Sequence, residues 1–295
     1  MSNSEKILQL LHSNDEKNIA LAITLAESAA KNGLDTDFVV HALFRRHLSL
    51  CFQNGWMLQY ITEFYADEYD LRFSYIIKSQ RFEYALELTD DAIDVCETMD
   101  EGMAQMHNLE KLKYVTLYPK HRMEFDFDFS HLQALKVIHL ECLDIDHIPA
   151  DVVQLNKLEE LNIINCRLSR IPPELGKLNC LKKMNLLGNG RWEFQENPQL
   201  HEIYSPLEAL PDALGDLKNL EELILDNNGL TELPNTLRNL ESLKVLSLKS
   251  NRIKILPESI KALVNLDKLE LSGNPLPKSM QAVVKQWLPN CKITF

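Results

Sequence analysis

The 295-residue sequence predicts an α/β repeat fold: a stack of short strands following an α-helical front region. Three observations carry this. The frame L-x-x-L-x-L restarts at Leu112, Leu135, Leu158, Leu181, Leu220, Leu243 and Leu266, with five steps of 23 residues and one of 39. Inside each copy, apolar residues first alternate as in a strand and then recur three and four places apart. Ahead of the ladder, apolar residues fall at helical spacing instead.

The front third comes first in the chain. Ile7, Leu8, Leu10 and Leu11 predict a short helix over residues 4–12. Ser13-Asn-Asp15 supplies N-cap residues for a second helix carrying Ile19, Ala22, Ile23, Ala26 and Ala29, which ends near Gly33. Asp35 or Thr36 caps a third helix through Phe38, Val39, Leu43 and Phe44, broken at Asn54-Gly55. A fourth is expected over 56–66, with more helix between 70 and 98. An array of repeats exposes an apolar end that something must cover, so residues 1–107 read as a helical cap, joined without a Gly/Pro/Ser-rich linker.

The copy from Leu220 shows the repeat most clearly. Leu223 and Leu225 alternate inward along a short strand, and Asn228 turns the chain. An Asn amide at a strand end bonds backbone groups that would otherwise be unpaired. Leu230, Leu233, Leu237 and Leu240 return to the same core, with Pro234 fixing φ where the return begins. Asn251 and Pro257 repeat the scheme, whereas Cys166 and Leu143 stand at the Asn place of earlier copies. The first copy, read from Leu112, is irregular after Tyr118. After Leu276 the frame ends. A helix over about 278–288 and an extended Lys292-Ile293-Thr294-Phe295 are expected to close the core.

Residues 106–295 resemble the leucine-rich repeat family, in its 23-residue L-x-x-L-P variety. That resemblance implies a right-handed, horseshoe-shaped solenoid with a parallel sheet on its concave side and irregular or 3₁₀ turns on its convex side. The solenoid is assigned to 108–277 and the C-terminal cap to 278–295. Residues Leu10–Ala22 resemble a helical lead-in found before the repeats of some bacterial members.

The 39-residue step places an insertion at 190–206, with Trp192, Phe194 and Tyr204 beside Arg191 and several acids. Long loops in a regular array are often functional, and aromatic residues beside Arg are typical interface anchors. The alternative is that these aromatics fold back as a small satellite core. In the repeat frame, the third, fifth and seventh places face the concave side. Ile164, Leu187 and Ile224 are apolar there in consecutive copies, next to His139, Asn162 and Asn185. These six residues, with Trp192 and Phe194 on the rim, are the expected partner-binding site; a contiguous exposed apolar group marks a contact patch. Cover by the insertion would make Leu187 and Ile224 structural instead.

Charge narrows the partner. The chain carries net −12, and residues 1–107 hold 18 acidic against 8 basic side chains. That argues against nucleic acid and anionic membrane. Six cysteines without C-x-x-C spacing read as reduced thiols, with no disulfide implied between Cys142 and Cys166. A polar start and the lack of a long apolar run point to a cytoplasmic protein. Asp144, Asp146, His147 and Asp151, with Asp126 and Asp128 one copy earlier, are of metal-binding type, but Asp is also common in turns. Cys142-Leu-Asp144 resembles the Cys-x-Asp of bacterial ubiquitin-ligase effectors. There the Cys lies in a separate domain after the repeats; here it lies inside one. The expectation is therefore a monomeric, non-catalytic module without cofactor or metal, binding a protein or peptide. The alternative is an enzyme or enzyme regulator with a metal or hydrolytic site in the acidic front region or near Asp144.

Overall fold

The computed structural model describes residues 3–13, 15–31, 39, 42–43, 51, 63–67, 72–77, 80–85, 108–115, 129–143, 145–189 and 206–295. The chain divides into two compact units, Met1–Glu110 and Lys111–Phe295.

In the first unit, α1 (Asn3–Leu11) and α2 (Glu16–Lys31) bury Ile7, Leu11, Ile19, Ala22, Ile23 and Ala26 to within 3 % of full cover. The α2 start is capped as its sequence expects: Asp15 Oδ1 accepts the Lys17 N–H at 2.9 Å. Val39, Ala42, Leu43 and Cys51 are helical. The rest of the expected third helix lies outside the described residues.

The helices expected over 56–66 and 70–98 are corrected in their described parts. The chain instead forms β1 (Glu63–Asp67), β2 (Arg72–Ile77) and β3 (Gln80–Ala85), an antiparallel meander. Phe73 stands opposite Tyr84, and Tyr75 opposite Phe82. Aromatic residues at every second place suit a strand, and that period of two prevails over a helical reading.

The second unit is a solenoid. Its strands are β4 (Lys111–Val115), β5 (Val137–Glu141), β6 (Glu160–Ile164), β7 (Lys183–Asn185), β8 (Glu222–Ile224), β9 (Val245–Ser247), β10 (Lys268–Glu270) and β11 (Lys292–Thr294). They pair in sequence order as one parallel sheet. One part of the frame changes: Leu112 pairs with Ile138, the fourth place of its copy. The first copy therefore begins at Leu109, which is buried, and runs Leu109-x-x-Leu112-x-Tyr114. Both frames fit the motif locally. The step from Leu109 to Leu135 is 26 residues, which a strict 23-residue reading misses.

Opposite the sheet, each return segment is a 3₁₀ turn that follows a proline. Pro172, Pro211, Pro234 and Pro257, with φ between −67° and −71°, precede turns at Pro173–Lys177, Asp212–Asp216, Asn235–Asn239 and Glu258–Ala262. Pro149 does the same for Ala150–Gln154. The leucines at the first, fourth and sixth places and along the turns are almost completely buried, forming one continuous core. Helix α3 (Lys278–Trp287) follows Pro277 and buries Val284 at the far end.

The Asn place does the work its chemistry suggests. Asn251 Nδ2 donates to the Leu225 carbonyl of the preceding copy at 2.8 Å and to Leu248 of its own at 3.0 Å. Its Oδ1 accepts the Leu230 N–H at 3.1 Å. Asn189, Asn228 and Asn274 donate likewise to carbonyls of two successive copies. At the same place Cys166 makes long sulfur contacts, 3.9 and 3.4 Å, to the Leu140 and Ile164 carbonyls. One place earlier the backbone turns left-handed in every regular copy: Cys142, Asn165, Gly188, Asn227, Ser250 and Gly273 all have φ between 51° and 78°.

Two predictions follow from this packing. A Cβ at Gly215 would lie 2.3 Å from the Thr236 carbonyl oxygen of the next copy. Gly215→Ala is expected to cost about 1–3 kcal/mol by urea unfolding, the range for an overpacked core. Asn251→Ala leaves the Leu230 N–H without its acceptor and takes one of two donors from each of the Leu225 and Leu248 carbonyls, which keep Asn228 and Asn274. It is expected to cost about 1–3 kcal/mol, and a loss within error would show that the ladder is dispensable.

Candidate concave interface

Strand alternation sends the second and fourth residues of each strand into the core and the others to the concave side. The parallel register then aligns the outward residues in rows. One row runs Val137, Glu160, Lys183, Glu222, Val245, Lys268 and Lys292, and the next runs His139, Asn162, Asn185, Ile224, Ser247, Glu270 and Thr294. The corrected frame of β4 adds Lys111 and Lys113 to these rows, in place of Tyr114 and Thr116.

Four of the predicted site residues fall in the second row on neighbouring strands: His139, Asn162, Asn185 and Ile224. Their polar groups are partly committed. His139 Nε2 lies 3.1 Å from Glu141 Oε2, and Asn162 Nδ2 donates to Glu160 Oε1 at 2.9 Å. Asn185 Oδ1 accepts the Leu187 N–H at 3.1 Å. Ile224 and Leu187 are half-buried. Ile164 was expected open to water and is instead buried, at 8 % exposure. It stands opposite Glu141 on the neighbouring strand, and side chains that close shield one another. Trp192 and Phe194 lie outside the described residues.

The second half of the face was not picked out as a site from the sequence. Around Ser247 stand Glu222, Ile224 and Asp226 on the β8 side, and Lys268 and Glu270 on β10. Lys268 Nζ lies 2.8 Å from Glu270, Lys249 Nζ 3.9 Å from the same carboxylate, and Lys183 Nζ 3.9 Å from Glu222. The hydrogen bond from Lys268 holds the Glu270 carboxyl below its ordinary range, and the same bond raises Lys268. Asp226 Oδ1 accepts the Lys249 N–H at 2.8 Å. The available signal was acids and lysines exchanging places between the third, fifth and seventh positions of consecutive copies.

Beside these rows, the second place of each copy alternates in sign: Lys136, Glu159, Lys182, Glu221, Lys244, Asp267. Lys182–Glu159 and Lys244–Glu221 close at 2.7 Å. Hydrogen bonds from these lysines hold Glu159 and Glu221 below the usual carboxylate range. These pairs are exposed and contribute little stability; their consequence is a neutral margin.

Two of the acids considered for chemistry have partners within the fold. The Asp151 carboxylate accepts the Phe129 N–H one copy earlier, and Asp146 contacts His147 beside it. Asp144, Asp126 and Asp128 lie outside the described residues. Among the described residues no group of three or more His, Cys, Asp or Glu is placed to hold a metal, and no helix is long and apolar enough to cross a membrane. Cys142 and Cys166 are free thiols. Burial, then the Glu141 charge, pushes Cys142 up to about 11; burial pushes Cys166 up to about 12. Both therefore stay protonated at neutral pH and are poor nucleophiles. Alkylation at pH 8, followed by mass spectrometry, is expected to label exposed Cys180 first and to leave buried Cys166 unmodified in the folded protein. Early labelling of Cys166 would contradict its burial.

Comparison with known proteins agrees with this geometry. A family model described as "Leucine rich repeat" matches residues 211–276, and a second, "Leucine Rich Repeat", matches 157–178. A search of curated proteins returned no match. Among solved structures, the chain is similar to a leucine-rich repeat protein of Leptospira interrogans, at 24 % identity over 66 % of this chain and 68 % of that one, with a TM-score of 0.32. It is also similar to a plant peptide hormone receptor, RGFR1, solved in complex with RGF2, at 23 % identity over 58 % of this chain, with a TM-score of 0.45. The match spans 26 % of that receptor's length. With its in-register strands, proline-led turns and asparagine ladder, Lys111–Phe295 is a leucine-rich repeat solenoid.

Proposed function

We propose that the chain is a non-catalytic module that binds a protein or peptide on its concave face. The contact runs from His139 through Asn162, Asn185 and Leu187 to Ile224, with Trp192 and Phe194 of the insertion in the same contact; Ile164, being buried, is left out of it. The observation that supports this most is the unbroken register of the rows, which offers one outward side chain about every 4.8 Å along the stack. Such a surface discriminates by matching many small contacts in series. We assign it no cofactor and no metal, and infer that it works as a single copy in a reducing, cytoplasm-like compartment, in keeping with the free thiols.

Selection of peptides from a displayed library on the purified protein tests the reading. Ile224→Glu places a charge in the middle of the face and is expected to weaken selected peptides at least tenfold. Val264→Glu, at a residue 82 % exposed and outside the strands, is expected to leave them unchanged. Equal effects of the two variants, with equal melting temperatures, would move binding off the sheet. Unchanged affinity in Trp192→Ala/Phe194→Ala would remove the insertion from the contact.

A further inference from the structure

Ser247 is the feature of the concave face that the folded chain alone does not explain. Its exposure is 5 %, and its hydroxyl oxygen has no hydrogen-bond partner among the described residues. As the third residue of β9 it points away from Leu246, which is in the core, and so lies on the concave side. Burying a hydroxyl without a partner is unfavourable, and a small apolar residue would fit the place better.

Its surroundings carry a pattern. Glu270 stands level with Ser247 on β10, and Asp226 lies two places past Ile224, the residue level with Ser247 on β8; their exposures are 7 % and 9 %. Asp226 accepts one backbone N–H through Oδ1, and among the described residues no cation lies within ion-pair distance of it. Glu270 is held by Lys268 and Lys249, whose side chains are 43 % and 41 % exposed and free to swing outward. Ile224, Ser247 and Glu270 thus stand abreast on three adjacent strands, with the buried Asp226 carboxylate two places further along.

We propose that this spot receives the guanidinium of an arginine side chain presented by the bound protein or peptide. This deepens the concave-face reading and rests on it. A guanidinium carries five N–H donors in a planar fork, enough to bridge two carboxylates and donate to the serine oxygen together. An ammonium is a compact point charge without that fork. The arginine displaces Lys268 from Glu270, giving up an exposed ion pair for a shielded, multiply bonded one.

Arginine amide, lysine amide and citrulline amide, titrated into the full chain with amide NMR shifts as the readout, test this directly. Arginine amide is expected to shift residues of β8–β10 saturably. Lysine amide is expected to bind at least fivefold more weakly, and neutral citrulline amide not to bind. Asp226→Asn, which keeps the acceptor for the Lys249 N–H, is expected to weaken arginine at least tenfold. Ser247→Ala is expected to weaken it severalfold while leaving the melting temperature equal or higher, the reverse of what a structural serine would show. Equal responses to the three amides, shifts elsewhere, or full binding by Asp226→Asn would overturn the proposal. Selected peptides that fail on Ile224→Glu yet bind Asp226→Asn normally would overturn it while leaving the concave-face reading intact.

Discussion

Each described corner of this solenoid ends a strand by turning the backbone inward, and the carbonyls aimed into the core there have no strand partner. The asparagine amide meets that constraint. At Asn251 one side chain satisfies carbonyls of two successive copies and an N–H of the earlier one. This couples copies as strictly as the sheet does, because an amide bridging two rungs fixes their separation and rotation. The left-handed residue just before it makes the corner sharp enough for the amide to reach. Where Cys166 replaces Asn, the contacts lengthen and the corner rests on leucine packing. The 39-residue copy shows the same dependence. Asn189 and Asn228, on either side of the insertion, keep their donated bonds but leave Oδ1 without a partner among the described residues. The ladder is continuous in its donors and interrupted in its acceptors where the repeat length changes.

Once the corners are fixed, the functional face follows with little freedom. Parallel pairing in register places equivalent residues of successive copies about 4.8 Å apart, so a row is a sequence of independent choices made once per copy. The core columns are held to leucine by burial. The outward columns are under no such demand, which is why His139, Asn162, Asn185, Ile224, Ser247 and Glu270 differ in chemistry while occupying one place in the frame. Packing does not require the chemical variety along such a row, so the row is free to be set by contacts outside the chain.

How much of this is legible in the sequence depends on whether a local pattern has one solution. The strands and turns from Leu135 onward are legible because leucine, asparagine and proline recur together at one spacing. The first copy is not, because Leu109-x-x-Leu112 and Leu112-x-x-Val115 both satisfy the motif, and only pairing with Ile138 decides between them. The front strands are hard to tell from helix because their apolar residues sit in short runs without a repeat to anchor the period; the strand signal lies in Phe73/Tyr75 and Phe82/Tyr84. Ile164 has the frame position of an exposed residue, and its cover comes from neighbours that sequence spacing does not supply. Asp226 is legible as a concave acid; its lack of a cation partner among the described residues belongs to three dimensions.

The charge arrangement bears on how such a face would discriminate between partners. Lys182–Glu159 and Lys244–Glu221 neutralise one margin, and Lys268–Glu270 and Lys183–Glu222 neutralise much of the concave rows. A partner that merely carries the opposite charge gains little, because each pair it approaches is already closed. Only a partner that replaces those bonds with better-directed ones gains from contact, and any other leaves a lysine or carboxylate unpaired against itself. Internal pairing thus raises the cost of wrong partners more than that of the right one. The repeat allows it because every copy sets acid and base within reach of the copies on either side.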